Sequence, residues 1–126
     1  MNITNLPLEN DEFLLYVSDE YMELNEESVD IYLTNKNIFY GKDEKVSLFN
    51  KEYKYYKISL GDVLIVNNNY KIYTREDADG YLCVCLLVNS INRELSFRNS
   101  EDDENGTRIK AFMIILINIL NYVYKH

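Results

Sequence analysis

Few residues in this chain are of types that do chemistry. Two cysteines stand two apart in "YLCVCLLVN", Cys83 and Cys85, and the only histidine is His126, the last residue. A thiolate can attack a carbonyl or bind a soft metal, but nucleophilic catalysis also needs a base, and structural zinc needs a second Cys or His pair. With the histidine at the end of the chain, no Cys/His or Ser/His arrangement assembles, and no Gly-x-Ser-x-Gly motif or phosphate-cradling glycine loop occurs. Residues two apart on a strand share a face and are poorly placed for a disulfide, so both thiols read as core. Carboxylates are plentiful but fall in turn-like segments, without the apolar setting that acid–base work requires. "EDADG", residues 76–80, resembles part of a calcium loop yet lacks the downstream glutamate and flanking helices, so it reads as a turn. The expectation is a protein that is not an enzyme and uses no metal or other cofactor.

Charge narrows the partners. The 126 residues carry 21 acidic against 13 basic side chains, a formal charge of −8, whereas nucleic acids and anionic membranes require clustered Lys and Arg. Lys51, Lys54 and Lys57 suggest a basic strip, but their odd spacing splits them between the faces of a strand, and Glu52 lies among them. The cluster Glu101 to Glu104 reads as a solvated loop ahead of a helix, at the end where negative charge is favoured. A basic protein is therefore the expected partner, with no direct nucleic acid and no membrane insertion. No apolar run approaches the ~18 to 20 residues that span a bilayer, and the N-terminus has neither a basic start nor an apolar core, which points to the cytosol or nucleus.

The elements that must position these residues are mostly strands. A chain of this size is one domain, residues 1–126, able to bury roughly two thirds of the surface its unfolded form exposes. Residues 1–11 and 125–126 are expected to be flexible ends. "EFLLYV" and "YMEL" form a first strand bent near residues 18–20; Val29 to Leu33 and Ile38 to Tyr40 make a hairpin about the polar residues 34–37; "KVSLFN" continues or pairs with it. "YKYYKISLGDVLIV" is a long β-like stretch with a bend or bulge at Gly61, and Asn67 to Asn69 turn the chain into "YKIYTRE". The turn "DADG" leads to "YLCVCLLV", and "RELSF" closes a series of about seven strands. From Thr107 to Tyr124 the spacing of Ile109, Phe112, Met113, Leu116, Leu120 and Val123 predicts one amphipathic helix.

Seven strands and a C-terminal helix follow the order of the pleckstrin-homology-like barrel. Within that order the chain resembles the ICln family, the Sm-protein chaperones of the methylosome. The segments that carry the likeness are "DIYLTNKNIFYG", "YYKISLGDV" with Tyr55, Ile58, Ser59 and Leu60, then "YLCVCLLVN", "RELSFRNSEDD" and "IKAFMIILINIL", in sequence over roughly residues 13–120. The fold implied is mainly β (α+β), a seven-stranded, partly open barrel capped by one helix. The function implied is non-enzymatic: binding Sm proteins by edge-strand pairing during spliceosomal snRNP assembly. By the family's strand order the binding edge would be Lys57, Ile58, Ser59, Leu60, Gly61, Asp62, Val63, Leu64, Ile65 and Val66, acting through the backbone and the side chains of Ile58, Leu60, Val63 and Ile65. Two departures matter. The segment 67–77 is longer than in the family, and the long acidic tail that carries the arginine-methyltransferase motif is missing, which leaves recruitment of that enzyme without its motif. "LTN" at the second-to-third strand hairpin is also common in bacterial PH-like domains, so a generic interaction module of that type is the alternative. A lipid-binding PH domain would place basic residues where "LNEES", 24–28, is acidic.

Overall fold

The structure, a computed structural model, describes residues 6–18, 22–89, 93–99 and 103–124, and statements of absence below refer to these. It is mainly β, with one C-terminal α-helix. Eleven strand segments are present among the described residues: β1 (Leu14–Val17), β2 (Met22–Leu24), β3 (Glu27–Ser28), β4 (Asp30–Thr34), β5 (Asn37–Lys45), β6 (Lys51–Ser59), β7 (Ile65–Val66), β8 (Asn69–Tyr70), β9 (Ile72–Glu76), β10 (Leu82–Val88) and β11 (Arg93–Asn99). They pair antiparallel as a four-stranded sheet, β1-β4-β5-β6, a five-stranded sheet, β3-β2-β11-β10-β9, and the small hairpin β7-β8. Helix α1 (Thr107–Asn118) follows, continued by a wider π-type turn over Ile119–Val123.

Side-chain alternation explains how the sheets face each other. Ile31, Leu33 and Ile38 from the first sheet meet Val84, Leu86, Val88, Leu95 and Phe97 from the second in one buried cluster. Helix α1 closes this cluster with Ile109, Phe112 and Leu116, the positions that a 3.6-residue period brings to one face. A second, smaller cluster of Leu6, Tyr32 and Phe39 lies apart from the first. Residues 6–11, expected to be loose, are thereby tied down: Leu6 is buried, and Glu9 and Asp11 both pair with Lys36.

Several local expectations change. The turn 34–37 is organised by Thr34, whose hydroxyl accepts from the Lys36 and Asn37 amides and donates to Glu12. Among the described asparagines, positive φ is found at Asn25, Asn67, Asn68 and Asn105, of which Asn67 and Asn68 make the β7-β8 turn. Burial pushes the Glu12 carboxyl up, but hydrogen bonds from Thr34, Asn37 and the Glu9 amide outweigh that and leave it below the ordinary value. "KVSLFN" is not a strand; it supplies the end of β5 and the loop to β6. Of the acidic lead-in to the helix, Asp103 accepts from the Arg108 and Ile109 amides at 2.8 and 3.1 Å, whereas residues 101 and 102 lie outside the described residues. So do His126 and most of the expected bend at 18–20.

Cys83 and Cys85 are buried, as read from the sequence, but neither belongs to the apolar cluster. They occupy the opposite face of β10 from Val84 and Leu86, beneath polar side chains of β9 and β11. A strand buried on both faces reads as a continuous apolar run, so its sequence cannot say which face meets which environment.

Candidate functional site

The ten residues expected to form one binding edge are split by the structure into three settings. Lys57, Ile58 and Ser59 end β6, while Leu60 to Asp62 form a 3-10 turn that the Ser59 hydroxyl caps by accepting from the Gly61 amide. Leu60 and Val63 are core residues. The backbone of Val63 and Leu64 is spoken for by β10, through the bridge to Val88 and the Leu64 amide donating to the Leu87 carbonyl. Ile65 and Val66 are half-exposed and pair with Tyr70 and Asn69. A continuous edge from Lys57 to Val66 is therefore absent. The chain turns at Leu60 because that side chain is drawn into the core while Gly61 stays outside.

A longer edge runs the other way. β6 is the outermost strand of its sheet, and all nine of its residues pair in unbroken register with β5, from Lys51 opposite Lys45 to Ser59 opposite Asn37. Its hydrogen-bond phase follows from two bonds at its ends: Leu60 donates to the Lys36 carbonyl, and Val46 donates to the Asn50 carbonyl. Antiparallel pairs alternate between bonded and non-bonded every residue, so even-numbered residues of β6 spend their main-chain groups on β5. Among the odd ones, Lys51, Tyr53, Lys57 and Ser59 point theirs outward, and among the described residues no strand takes these four up. An outward-facing, bulge-free row of this kind is a template for another strand.

The far half of this hairpin is an arm. β4 reaches only to Asp30 opposite Gly41, so Lys42 to Lys45 are flanked by β6 alone. A lone two-stranded ribbon is marginal in water, and here cross-strand contacts support it: Tyr40 stacks on Tyr56 at 5.2 Å, Lys42 lies over the Tyr56 ring, and Lys42 bridges to Glu27 at 2.6 Å. At the tip Leu48 is 73% and Phe49 90% exposed. The base of the arm depends on Gly41, where an added Cβ would overlap the Tyr53 hydroxyl that donates to Asp30. Gly41→Ala is expected to destabilise by about 1–3 kcal/mol in urea melts. The same change should cost much less in a Tyr53→Ser background, and equal costs would show that the clash is not the cause.

A polar concavity of about 230 Å³ lies on the outer face of β9, β10 and β11, with Arg75, Asp77, Cys83, Glu94, Ser96 and Arg98 in its lining. Its cations are already engaged. Arg75 bonds Glu94 at 3.0 Å, and Arg98 bonds Glu23 and Asp77. Burial pushes both thiols up, away from the thiolate that would react. A structural role for this cluster follows directly.

Sequence reasoning missed the arm and residues 51–56 of the edge. Val46 and Leu48 alternate as in a strand, which hid the loop. The usable signal was the symmetry of Lys45 and Lys51 about that loop, which marks the two sides of a ribbon. Comparison with family models, curated proteins and solved structures finds no match to this chain.

Proposed function

We propose that the chain is a non-catalytic, pleckstrin-homology-like domain that holds a protein partner by strand addition along β6. The observation that carries this reading is the nine-residue edge strand, in regular register with β5, with main-chain donors and acceptors facing outward at Lys51, Tyr53, Lys57 and Ser59. The barrel assignment draws support from topology: two antiparallel sheets, β1-β4-β5-β6 and β3-β2-β11-β10-β9, share one buried core with the terminal helix. Sm proteins are the partner implied by the ordered ICln-like segments, and a net charge of −8 would speed their encounter if they are basic. The lysines on β6 favour the alternative, a general interaction module with a different partner. Saturated guanidiniums and buried thiols support the non-catalytic part of the reading.

The test is co-elution with purified Sm heteromers, repeated with Lys57→Pro. Lys57 sits on the edge with its amide outward, a position where proline removes a donor without breaking the β5-β6 ladder. The variant should melt near the parent and lose at least about tenfold in affinity. Unchanged binding would move the contact away from β6. A folded parent protein that fails to bind Sm heteromers at micromolar concentration would leave the general module.

A further inference from the structure

We propose that the strand added to β6 is an acidic segment of the partner protein; the inference rests on the strand-addition reading and names the chemistry of what is added. Net charge and local charge disagree on this surface. The chain as a whole is at −8, yet β6 carries Lys51, Lys54 and Lys57 against the single acid Glu52, all of them exposed. In the arm, Lys51 stands directly opposite Lys45. Lys51 and Lys57 enter no ion pair within 4 Å among the described residues, and Lys54 reaches only Glu44 at 3.7 Å. An incoming strand would have Lys51 and Lys57 beside one of its faces and Lys54 beside the other, because odd and even positions alternate across the sheet. Cross-strand pairs of opposite charge stabilise such an addition, and like charges directly opposite oppose it. Carboxylates on both faces of the guest are what this row selects. Long-range steering by the acidic body and short-range docking at the lysine row are separate steps, and the second sets register.

Lysines on an edge strand also serve to keep other strands away. That role alone does not account for the arm tip, where Leu48 and Phe49 stand exposed at the end of the row. A guarded edge gains nothing from two uncovered apolar side chains. A guest strand that extends past Lys51 would cover them, so the guest is expected to be acidic along its length and apolar at the end nearest the tip.

The experiment uses the full chain, isotopically labelled, and two synthetic extended peptides that alternate Thr and Val with either Glu or Lys and carry a Leu-Phe end. The Glu peptide should shift the amide resonances of Lys51, Tyr53, Lys57 and Ser59 and bind at least about tenfold more tightly than the Lys peptide. That preference should disappear in a Lys51→Gln, Lys54→Gln, Lys57→Gln variant and shrink with added salt. Equal affinity for both peptides at the same amides, or tighter binding of the Lys peptide, would overturn the acidic preference while leaving strand addition standing. Shifts confined to other surfaces, or none with either peptide, would overturn both.

Discussion

Replacing Arg98 by alanine is expected to lower stability by about 3–5 kcal/mol, the range for removing one partner of a buried ionic cluster. The guanidinium is central to three segments of chain. Its Nε and Nη2 donate to one Glu23 oxygen at 3.1 and 3.0 Å across the β2-β11 pair, and Nη1 donates to Asp77 in the turn after β9. Tyr81 lies under the guanidinium at 4.8 Å. The three charged side chains are only 15%, 11% and 13% exposed, so alanine leaves two carboxylates close together and largely out of water. Surface pairs such as Arg75 with Glu94 are of a different kind and contribute about 0–1 kcal/mol.

The same cluster has a pH signature. Burial pushes the Asp77 carboxyl up, but the Arg98 guanidinium and the amides of Tyr81 and Asp79 more than offset this, so the group lies below the ordinary carboxylate range. A depressed folded value contributes stability that is complete above the unfolded value and lost as pH falls through the folded one. In Arg98→Ala the guanidinium's part of the depression is gone, and a buried Asp77 takes up its proton more readily. The deficit of the variant should therefore be largest near neutrality and shrink toward about pH 4, where carboxylates begin to protonate. Urea melts at both pH values read this directly. A deficit under about 1 kcal/mol at neutral pH would mean that the cluster is solvated like a surface pair.

The parts of this fold that were legible in the sequence share one property: local pattern and tertiary environment agree. Ile109, Phe112 and Leu116 keep helical spacing because one face alone is buried, and the structure places all three in the core. Turns with Asn, Asp and Gly were equally plain, since those residues supply conformations that others resist, as Asn67, Asn68 and Gly80 do with positive φ. The open edge of the first sheet was not legible, for a physical reason. An edge is defined by which strand lacks a neighbour, and that depends on pairings between residues far apart in sequence. Gly61 marked a bend within Ile58 to Val66, and the 3-10 turn Leu60–Asp62 falls there, but alternating apolar residues do not report that the two halves leave the bend for different partners. Leu60 and Val63 supply the alternation from inside the core, on either side of a 3-10 turn. The two cysteines show the same limit from the other side, since burial was correctly read while the polar company they keep was set by β9 and β11.

Phe112→Ala is expected to cost about 3–5 kcal/mol, the span for emptying an aromatic site in a packed core. Phe112 is fully buried where the helix meets both sheets: its ring lies 5.7 Å from Tyr16 of β1 and 5.2 Å from Phe97 of β11, tilted in each case. Such tilted aromatic pairs add to the area term, so the loss should fall above that of an aliphatic neighbour. Leu116→Ala, equally buried one turn on, is expected to cost about 2–5 kcal/mol by the same mechanism without the ring contacts. Ile114, 56% exposed on the same helix, is the control: its alanine variant should stay within about 0.5 kcal/mol of the parent. Because the ring touches β1 and β11, the loss should be accompanied by faster amide exchange in those strands as well as in α1. Exchange confined to the helix would show a helix resting on a self-sufficient pair of sheets. A cost under about 1 kcal/mol for Phe112→Ala would mean that the helix does not close the core at all.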